Sequence, residues 1–344
     1  MSTSAFHVRR VGFRDGTDAE LAALHAVEAP VAAECGSNRM PAPLDSYIGF
    51  ARNLPSQFDD HAWIVETADG VPVAAGFCWS NSAGDERVME CEIFVLPGWR
   101  REGIASRLLA VIGEEAALDG RSLLTWTTFD PVPAGEAFSR RVGASAARVN
   151  RTSELVLADV DWVMVARWAR AEQTRDRGYV LEMVDGAFPE DLRTDAVTFH
   201  HIMQTAPLDD LEAAGVWIDG DFVAELDRAL LEAGRERWTL LVRGPDGQCV
   251  GGTQVIYEPW QPERVHQQNT GIDPAHRGLG LAKWAKATML ERIRQQLVGV
   301  EGVQTDNAYS NAPMLAINRA LGFKVIGTHT EWQAPIADLL RSIA

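Results

Sequence analysis

The clearest pattern of hydrophobic and polar positions lies between Leu281 and Leu297, where large apolar side chains recur at helical spacing among Lys, Glu and Arg. This pattern predicts an amphipathic helix. Pro274 marks the end of a preceding strand, because proline cannot donate a hydrogen bond to a central ladder. Gly278 and Gly280, in between, permit backbone angles and close approaches that a Cβ would prevent. The stretch therefore predicts a strand, a tight turn and a helix.

Similar patterns predict elements along the whole chain. In the first half they predict strands at 6–12, 62–66, 71–79, 88–95, 122–128 and 152–157, and helices at 17–27, ending near 118, at 135–142 and at 161–172. In the second half they predict strands at 179–184, 239–242, 250–257, 265–272, 302–305 and 328–333, and further helices at 191–203, 220–233, 313–321 and 336–343.

The order of elements repeats, and so do the residues of the turn. Arg277, Gly280 and Ala282 each have an identical residue 177 positions earlier. A chain of 344 residues is long enough for two domains. We therefore predict two copies of one α/β unit, residues 1–172 and residues 173–344, joined by a polar connector.

Composition restricts the partners. The formal charge of −16 argues against nucleic acid and permits a cationic amine substrate. The four cysteines form no C-x-x-C pair, which predicts free thiols and no metal site. No signal peptide or apolar run of membrane-spanning length is visible, so we expect a cytoplasmic protein without a membrane partner, either a monomer or a homodimer.

A turn of free amides that opens a helix favours anions, because the unpaired N–H groups and the helix dipole both attract negative charge. The glycines alone are weak evidence for a phosphate site. Neither the dinucleotide fingerprint nor a P-loop follows them.

Two motifs carry a resemblance to a known family. The first motif is Arg277-Gly278-Leu279-Gly280-Leu281-Ala282, its first-half copy is Arg100-Arg101-Glu102-Gly103-Ile104-Ala105, and the second motif runs from Asn311 to Phe323. The chain resembles tandem GNAT-type N-acetyltransferases, whose loop pattern is Q/R-x-x-G-x-G/A, and mycothiol synthase shares this layout. The resemblance covers nearly the whole chain. It implies an α/β (α+β) fold of two tandem GNAT domains, each a mixed, mostly antiparallel, splayed sheet flanked by helices.

The resemblance also implies acetyl-CoA, or another acyl-CoA, as the acyl donor, and no metal. Loop amides would hold the pyrophosphate, and the strand that ends at Ile272 would splay from its neighbour, pair with the pantetheine arm and polarise the thioester carbonyl. The implied cofactor-binding residues are Ile272, Arg277, Gly278, Leu279, Gly280, Leu281, Ala282 and Asn311 in the second half, and Val95, Arg100, Arg101, Gly103 and Ala105 in the first.

Acyl transfer needs a base that frees the amine and an acid for the leaving thiolate. The family's base position, eleven residues before the loop Arg, holds His266, which is either the base or a strand histidine without a proton to move. The family's acid is often a Tyr four residues before Gly322. Here that position is Asn318, which cannot supply a proton at pH 7. The nearby Tyr309 is one substitute and water is another.

The acceptor pocket is expected from the strand of His266 and from the helices after the first strand of the second half. Gln267 and Thr270 share that strand. His200 and Trp217 lie in the helical segment, which is rich in Asp and Glu and so suits a cationic amine. Trp217 is alternatively an ordinary core residue.

We expect the second half to be catalytic, because the first half has Val132 and Ser139 in place of Asn311 and Asn318. The first half either binds CoA or is structural. The leading hypothesis is direct transfer of an acetyl group from acetyl-CoA to a primary amine of a small molecule in a ternary complex. The alternatives are a non-catalytic CoA-binding or interaction protein, suggested by the missing Tyr, and a mycothiol synthase, whose later motif is expected to carry that Tyr.

Overall fold

The computed structural model describes residues 6–36, 40–212 and 215–343. The elements of the first part of the chain are β1 (His7–Val11), α1 (Asp18–Glu34), α2 (Leu44–Arg52), β2 (Phe58–Glu66), β3 (Pro72–Asn81), β4 (Val88–Val95), α3 (Ile104–Leu118), β5 (Leu123–Phe129), α4 (Pro133–Arg141), β6 (Ser145–Val156), α5 (Trp162–Arg170) and α6 (Glu172–Arg175). They are followed by β7 (Val180–Asp185), α7 (Arg193–Met203), α8 (Gly220–Glu232), β8 (Glu236–Arg243), β9 (Cys249–Tyr257), β10 (Arg264–Ile272), α9 (Leu281–Gln296), β11 (Gly302–Ala308), α10 (Ala312–Leu321), β12 (Lys324–Pro335) and α11 (Ile336–Ile343).

Most predicted elements are present, and the differences lie mainly in the first part of the chain. Thr17 caps α1 as predicted, but the helix continues through Pro30 because Val31 and Ala32 beyond it are buried. Sequence patterning missed α2, a helix of nine residues that contains Gly49 and begins directly after Pro43, two residue types that usually indicate a loop. Strands β2 and β6 begin several residues earlier than predicted.

The chain forms two compact units that are not contiguous in sequence. Unit 1 takes its described residues from 1–149, 208–217 and 327–344, and unit 2 takes them from 150–207 and 218–326. The predicted boundary at residue 172 follows the sequence repeat, whereas the units follow backbone pairing. Each unit takes its closing strand mainly from the other half of the chain: β12 pairs with β5 in unit 1, and β6 pairs with β11 in unit 2.

The strand order is β1-β2-β3-β4-β5-β12 in unit 1 and β7-β8-β9-β10-β11-β6 in unit 2. The pairs β4–β5 and β10–β11 are parallel, and the other registered neighbours are antiparallel. The predicted mixed, mostly antiparallel sheets are therefore confirmed.

Both parallel pairs splay. In unit 2 the pairing of β10 with β11 ends at Gln267 and Thr305, although both strands continue. In unit 1 the pairing of β4 with β5 ends at Glu90 and Thr125. Beyond these points each pair of strands separates and leaves a strand edge open.

Apolar side chains from the helices cover the sheets. In unit 1, α3 packs Leu108 and Ile112 against one face, and α1 packs Leu21 and Leu24 against other strand residues. In unit 2, α9 buries its apolar stripe, including Trp284, in the main cluster. Among the described residues, no helix has the length and apolarity needed to cross a membrane.

Candidate functional site

The turn before α9 has the conformation that the glycines predicted. Gly278 and Gly280 have φ angles of 80° and 78°, in the left-handed region. A Cβ built on either glycine would meet nothing within 4 Å. The glycines therefore serve the backbone conformation and leave open space above the turn.

The start of α9 presents a run of unused donors. No backbone N–H from Gly278 to Lys283 donates to an acceptor within 6–36, 40–212 or 215–343. The helix has 16 residues, so its dipole adds to the positive potential at this end. This geometry favours a bound anion.

Arg277 lies beside these amides. Its Nε donates to the carbonyl oxygen of Ile272 at 2.9 Å, and its Nη2 donates to Thr205 Oγ1 at 2.8 Å. No carboxylate in the described parts of the chain forms an ion pair with this guanidinium. The uncompensated charge of Arg277 adds to the attraction for an anion.

An open groove with about 1240 Å³ of empty space runs from this turn to the splayed strands. Its lining includes the predicted residues Thr270, Ile272, Arg277, Gly278, Gly280, Leu281, Ala282 and Asn311. Leu279 does not line it and packs against the unit 2 core instead. Sequence analysis missed the other wall, which contains Thr205 from beyond α7 and Met314 and Ile317 from α10.

The β10 edge is shaped by a register shift against β9 between Gln267 and Thr270. Gln267 is buried, and its side-chain amide donates to Thr253 Oγ1 at 3.0 Å and to the Gln254 carbonyl at 2.7 Å. Gln267 therefore braces the irregular strand. Thr270 shares a 2.8 Å hydrogen bond with Thr253 and reaches the groove.

His266 lies on β10 within the sheet and does not line the groove. Burial lowers its pKa from the usual value near 6.5, which keeps the imidazole neutral at pH 7. Its Nε2 has no hydrogen-bond partner among the described residues and lies 3.9 Å from Glu258 Oε2. Arg235 and Gln261 hold that carboxylate at 2.8 and 2.7 Å.

The two candidates for the acid have different surroundings. Asn318 is 2% exposed, and its Nδ2 donates to Asn307 Oδ1 at 2.7 Å, while its own Oδ1 is buried without a partner in the described chain. Tyr309 is 60% exposed, with the Arg151 guanidinium 3.8 Å from its ring centroid. Neither side chain lines the groove.

The structure does not bring the two predicted helical substrate residues to the groove. His200 lies beside the buried ion pair of Arg237 and Asp227, and desolvation lowers its pKa to about 4. Trp217 belongs to unit 1, is 65% exposed and donates its backbone N–H to Ala83. The positions of His200 and Trp217 depend on how their segments pack in the fold, and the spacing of residues along the sequence does not predict that packing.

Unit 1 repeats the loop with one change. Arg101 and Gly103 have φ angles of 72° and 81°, matching the second-half glycines, and Arg100 Nε donates to the Val95 carbonyl at 3.1 Å. The two Nη atoms of Arg100 donate to both carboxylate oxygens of Glu34 at 2.9 and 2.5 Å. A carboxylate from α1 therefore neutralises the loop arginine of unit 1.

The splay of unit 1 holds a separate pocket with about 740 Å³ of empty space. Its lining is mostly apolar and includes Phe94, Leu109, Trp126, Phe138 and Ser139. It contains no residue of the 100–105 loop. In unit 1 the slot between the strands and the anion-binding turn are thus not parts of one cavity.

A splayed parallel strand pair that opens beside an amide-rich helix start defines a class of acyltransferases that use a CoA thioester. The chain belongs to the GNAT family within this class. Residues 59–143 match the acetyltransferase (GNAT) domain model, and residues 201–323 match the acetyltransferase (GNAT) family model. The protein is a tandem GNAT acetyltransferase, and acetyl-CoA is its acyl donor.

Curated relatives and solved structures agree with this assignment. The chain is 28% identical to a mycothiol acetyltransferase of Saccharomonospora viridis over 70% of this chain and 72% of the relative. It is 27% identical to a mycothiol acetyltransferase of Thermomonospora curvata over 79% and 82%. The fold is similar, with a TM-score of 0.77 and 23% identity, to a tandem GNAT protein from the clavulanic acid biosynthesis pathway, over 96% of this chain and 99% of that one.

Proposed function

We propose that unit 2 binds the acetyl-CoA and transfers its acetyl group directly to a primary amine of a small molecule, in a ternary complex. The observation that carries this proposal is the run of six unused amides beside the unpaired Arg277, at one end of a groove that leads to an open strand edge. A diphosphate suits the amides, and the amide-containing pantetheine arm suits the strand edge. Unit 1 has its loop arginine neutralised and serves as the structural partner.

In this proposal the thioester lies where β10 separates from β11, and the backbone near Ile272 stabilises negative charge on its carbonyl oxygen. The acceptor nitrogen attacks the carbonyl carbon, a C–N bond forms, the C–S bond breaks and CoA leaves as the thiol. The partial positive charge of the amide N–H groups binds the negatively charged diphosphate. The acetyl-CoA is thereby oriented before the amine reacts.

The proton of the amine goes to His266 through water, because His266 is neutral at pH 7 but does not reach the groove. Glu258 stabilises the imidazolium that forms. Asn318 holds Asn307 of β11 by its side-chain amide and does not reach the leaving group. Water supplies the proton of the leaving sulfur, since a thiol with a pKa of about 8.5 is a tolerable leaving group.

The direct test is calorimetric titration with acetyl-CoA. Gly280→Glu places a carboxylate and a β-carbon in the unit 2 turn and is expected to abolish binding, whereas Gly103→Glu makes the same change in unit 1 and is expected to leave it unchanged. Retained binding in Gly280→Glu would show that unit 2 is not the donor site.

A second candidate concerns the acceptor. The relatives named mycothiol acetyltransferase match most of the chain, which favours an acceptor of the mycothiol type. Release of CoA thiol in the presence of deacetylated mycothiol, compared with a library of other small amines, distinguishes this acceptor from the rest. No thiol release with any amine would instead favour the non-catalytic alternative.

A further inference from the structure

A second open pocket of unit 2 borders the same helix start and has about 900 Å³ of empty space. It shares Gly280 and Lys283 with the groove. The rest of its wall comes from the end of α5, from Ala171, from α6 and from Trp284 of α9. A ligand whose diphosphate is bound at the turn before α9 therefore has this pocket within reach.

The pocket carries a surplus of positive charge. Arg167, Arg170 and Lys283 are exposed and line it, and Glu172 is the one acidic residue of its lining. Neither arginine has an ion-pair or hydrogen-bond partner in the described chain, although the protein has a formal charge of −16. Three cations against one carboxylate leave two uncompensated positive charges, which favours a polyanionic ligand group.

An aromatic surface lies beside these charges. Trp168 is half-buried in the pocket wall, and Lys283 Nζ is 5.1 Å from its ring centroid. Thr174 Oγ1 donates to the carbonyl of Leu279 at 3.3 Å, which ties α6 to the turn. The pocket thus combines an aromatic ring, on which a nucleobase can stack, with cations that can bind a phosphate. The hydrogen bond from Thr174 keeps both close to the turn before α9.

We propose that this pocket binds the adenosine 3′-phosphate end of CoA. Arg167, Arg170 and Lys283 hold the 3′-phosphate, and Trp168 contacts the adenine. The proposal rests on the proposed binding of acetyl-CoA by unit 2 and deepens it. At the repeat offset of 177 positions, the segment 167–174 has no counterpart in the first half of the chain. The helix that follows the closing strand of unit 1 is α11, whose one cationic residue, Arg341, forms an ion pair with Asp338.

The test compares CoA with 3′-dephospho-CoA by calorimetry. The wild-type protein is expected to bind CoA about tenfold or more tightly than 3′-dephospho-CoA, the typical effect of one or more charge-assisted hydrogen bonds. Arg167→Ala/Arg170→Ala is expected to weaken CoA binding to the level of 3′-dephospho-CoA and to leave the affinity for the latter unchanged.

Arg177→Ala is the matched control for Arg170→Ala, because Arg177 is exposed on the same segment, its guanidinium has no partner within the described parts of the chain, and it lies outside the pocket. If Arg170→Ala and Arg177→Ala lost CoA affinity equally, the proposal would be overturned, because the attraction would then come from the general positive potential of this surface and not from the pocket. Equal wild-type affinity for the two nucleotides would overturn it as well. Binding of neither nucleotide to the wild type would overturn the proposed function together with this subsite.

Discussion

Lys286 places an amine inside unit 2. It is 2% exposed and lies one turn after Ala282, which lines the groove. Its Nζ is 5.4 Å from the ring centroid of Phe323, and desolvation lowers its pKa to about 7. Leu109, 177 positions earlier, is fully apolar and equally buried, so the fold itself does not require a lysine here.

Lys286 should make stability depend on pH in a defined window. Its pKa in the folded protein is lowered to about 7 from the usual 10.5, so between these values the unfolded chain binds the additional proton. The free energy of unfolding therefore rises with pH across this window, by about 1.4 kcal/mol per pH unit from this group. Below the window both states bind the proton, so the full destabilisation by the buried charge remains and does not change with pH.

Lys286→Met is expected to remove this slope and to raise the free energy of unfolding at pH 7. Urea denaturation at pH 7, 8 and 9 measures both effects. Lys283→Met is the control, since Lys283 is exposed and should leave the slope intact. An unchanged slope in Lys286→Met would mean that the buried amine is not the source.

The turn before α3 in unit 1 and the turn before α9 in unit 2 have the same backbone conformation but differ in the partner of their arginine. Unit 1 retains the left-handed turn even where Arg101 stands in place of a glycine, a conformation that costs a non-glycine residue roughly 1–2 kcal/mol. The turn is preserved, but its arginine, Arg100, forms an ion pair with Glu34 from the last turn of α1. In unit 2 the hydrogen bonds that the Arg277 side chain forms with described residues go to neutral oxygens, those of the Ile272 carbonyl and Thr205.

Removing this carboxylate should restore an anion site in unit 1. Glu34→Gln is expected to free Arg100 and to add a second, weaker acetyl-CoA site, which calorimetry detects as a stoichiometry that rises from one toward two. Asp45→Asn, which removes one exposed negative charge from α2 of the same unit, should leave the stoichiometry at one. A stoichiometry of one in both variants would show that Glu34 does not control the loop.

At the scale of the whole molecule, each compact unit depends on a strand from the other half of the sequence. Trp332 on β12 is 2% exposed, and its Nε1 donates to Thr128 Oγ1 on β5 at 2.8 Å. The registers of β12 with β5 and of β6 with β11 each extend over seven residue pairs. The backbone groups of β5 and β11 are thereby satisfied by strands that are distant in sequence.

Trp332→Ala should therefore destabilise unit 1, although residue 332 lies in the second half of the chain. The expected loss is about 3–5 kcal/mol, typical of a buried Trp truncated to Ala. Amide hydrogen exchange should show lost protection in 123–129 of unit 1, while 302–308 of unit 2 keeps its protection. Val325→Ala, at an exposed position of the same strand, serves as the control. Loss confined to 302–308 would contradict the exchange of closing strands.

The local part of the architecture was predictable from sequence. The helix predicted at 281–297 is α9, and the turn before it depends on Gly278 and Gly280, whose backbone freedom is a property of the residue itself. The prediction failed for α2, because a nine-residue helix that contains Gly49 and begins directly after Pro43 carries the residue types of a loop. It also failed for the starts of β2 and β6, where pairing with another strand extends the element: residues 58–61 pair with 78–81 of β3, and residues 150–151 pair with 307–308 of β11.

The sequence by itself determined the repeated unit, its GNAT-type turn and the residues around Arg277, because backbone conformation and helix periodicity are encoded over a few neighbouring positions. Only the tertiary structure decided which side chains meet: that Glu34 reaches Arg100, that Trp217 lies in unit 1, that Gln267 braces a strand, and that each closing strand completes the other half's sheet. Those outcomes depend on packing and backbone pairing between residues tens to hundreds of positions apart, and spacing along the chain carries no record of them.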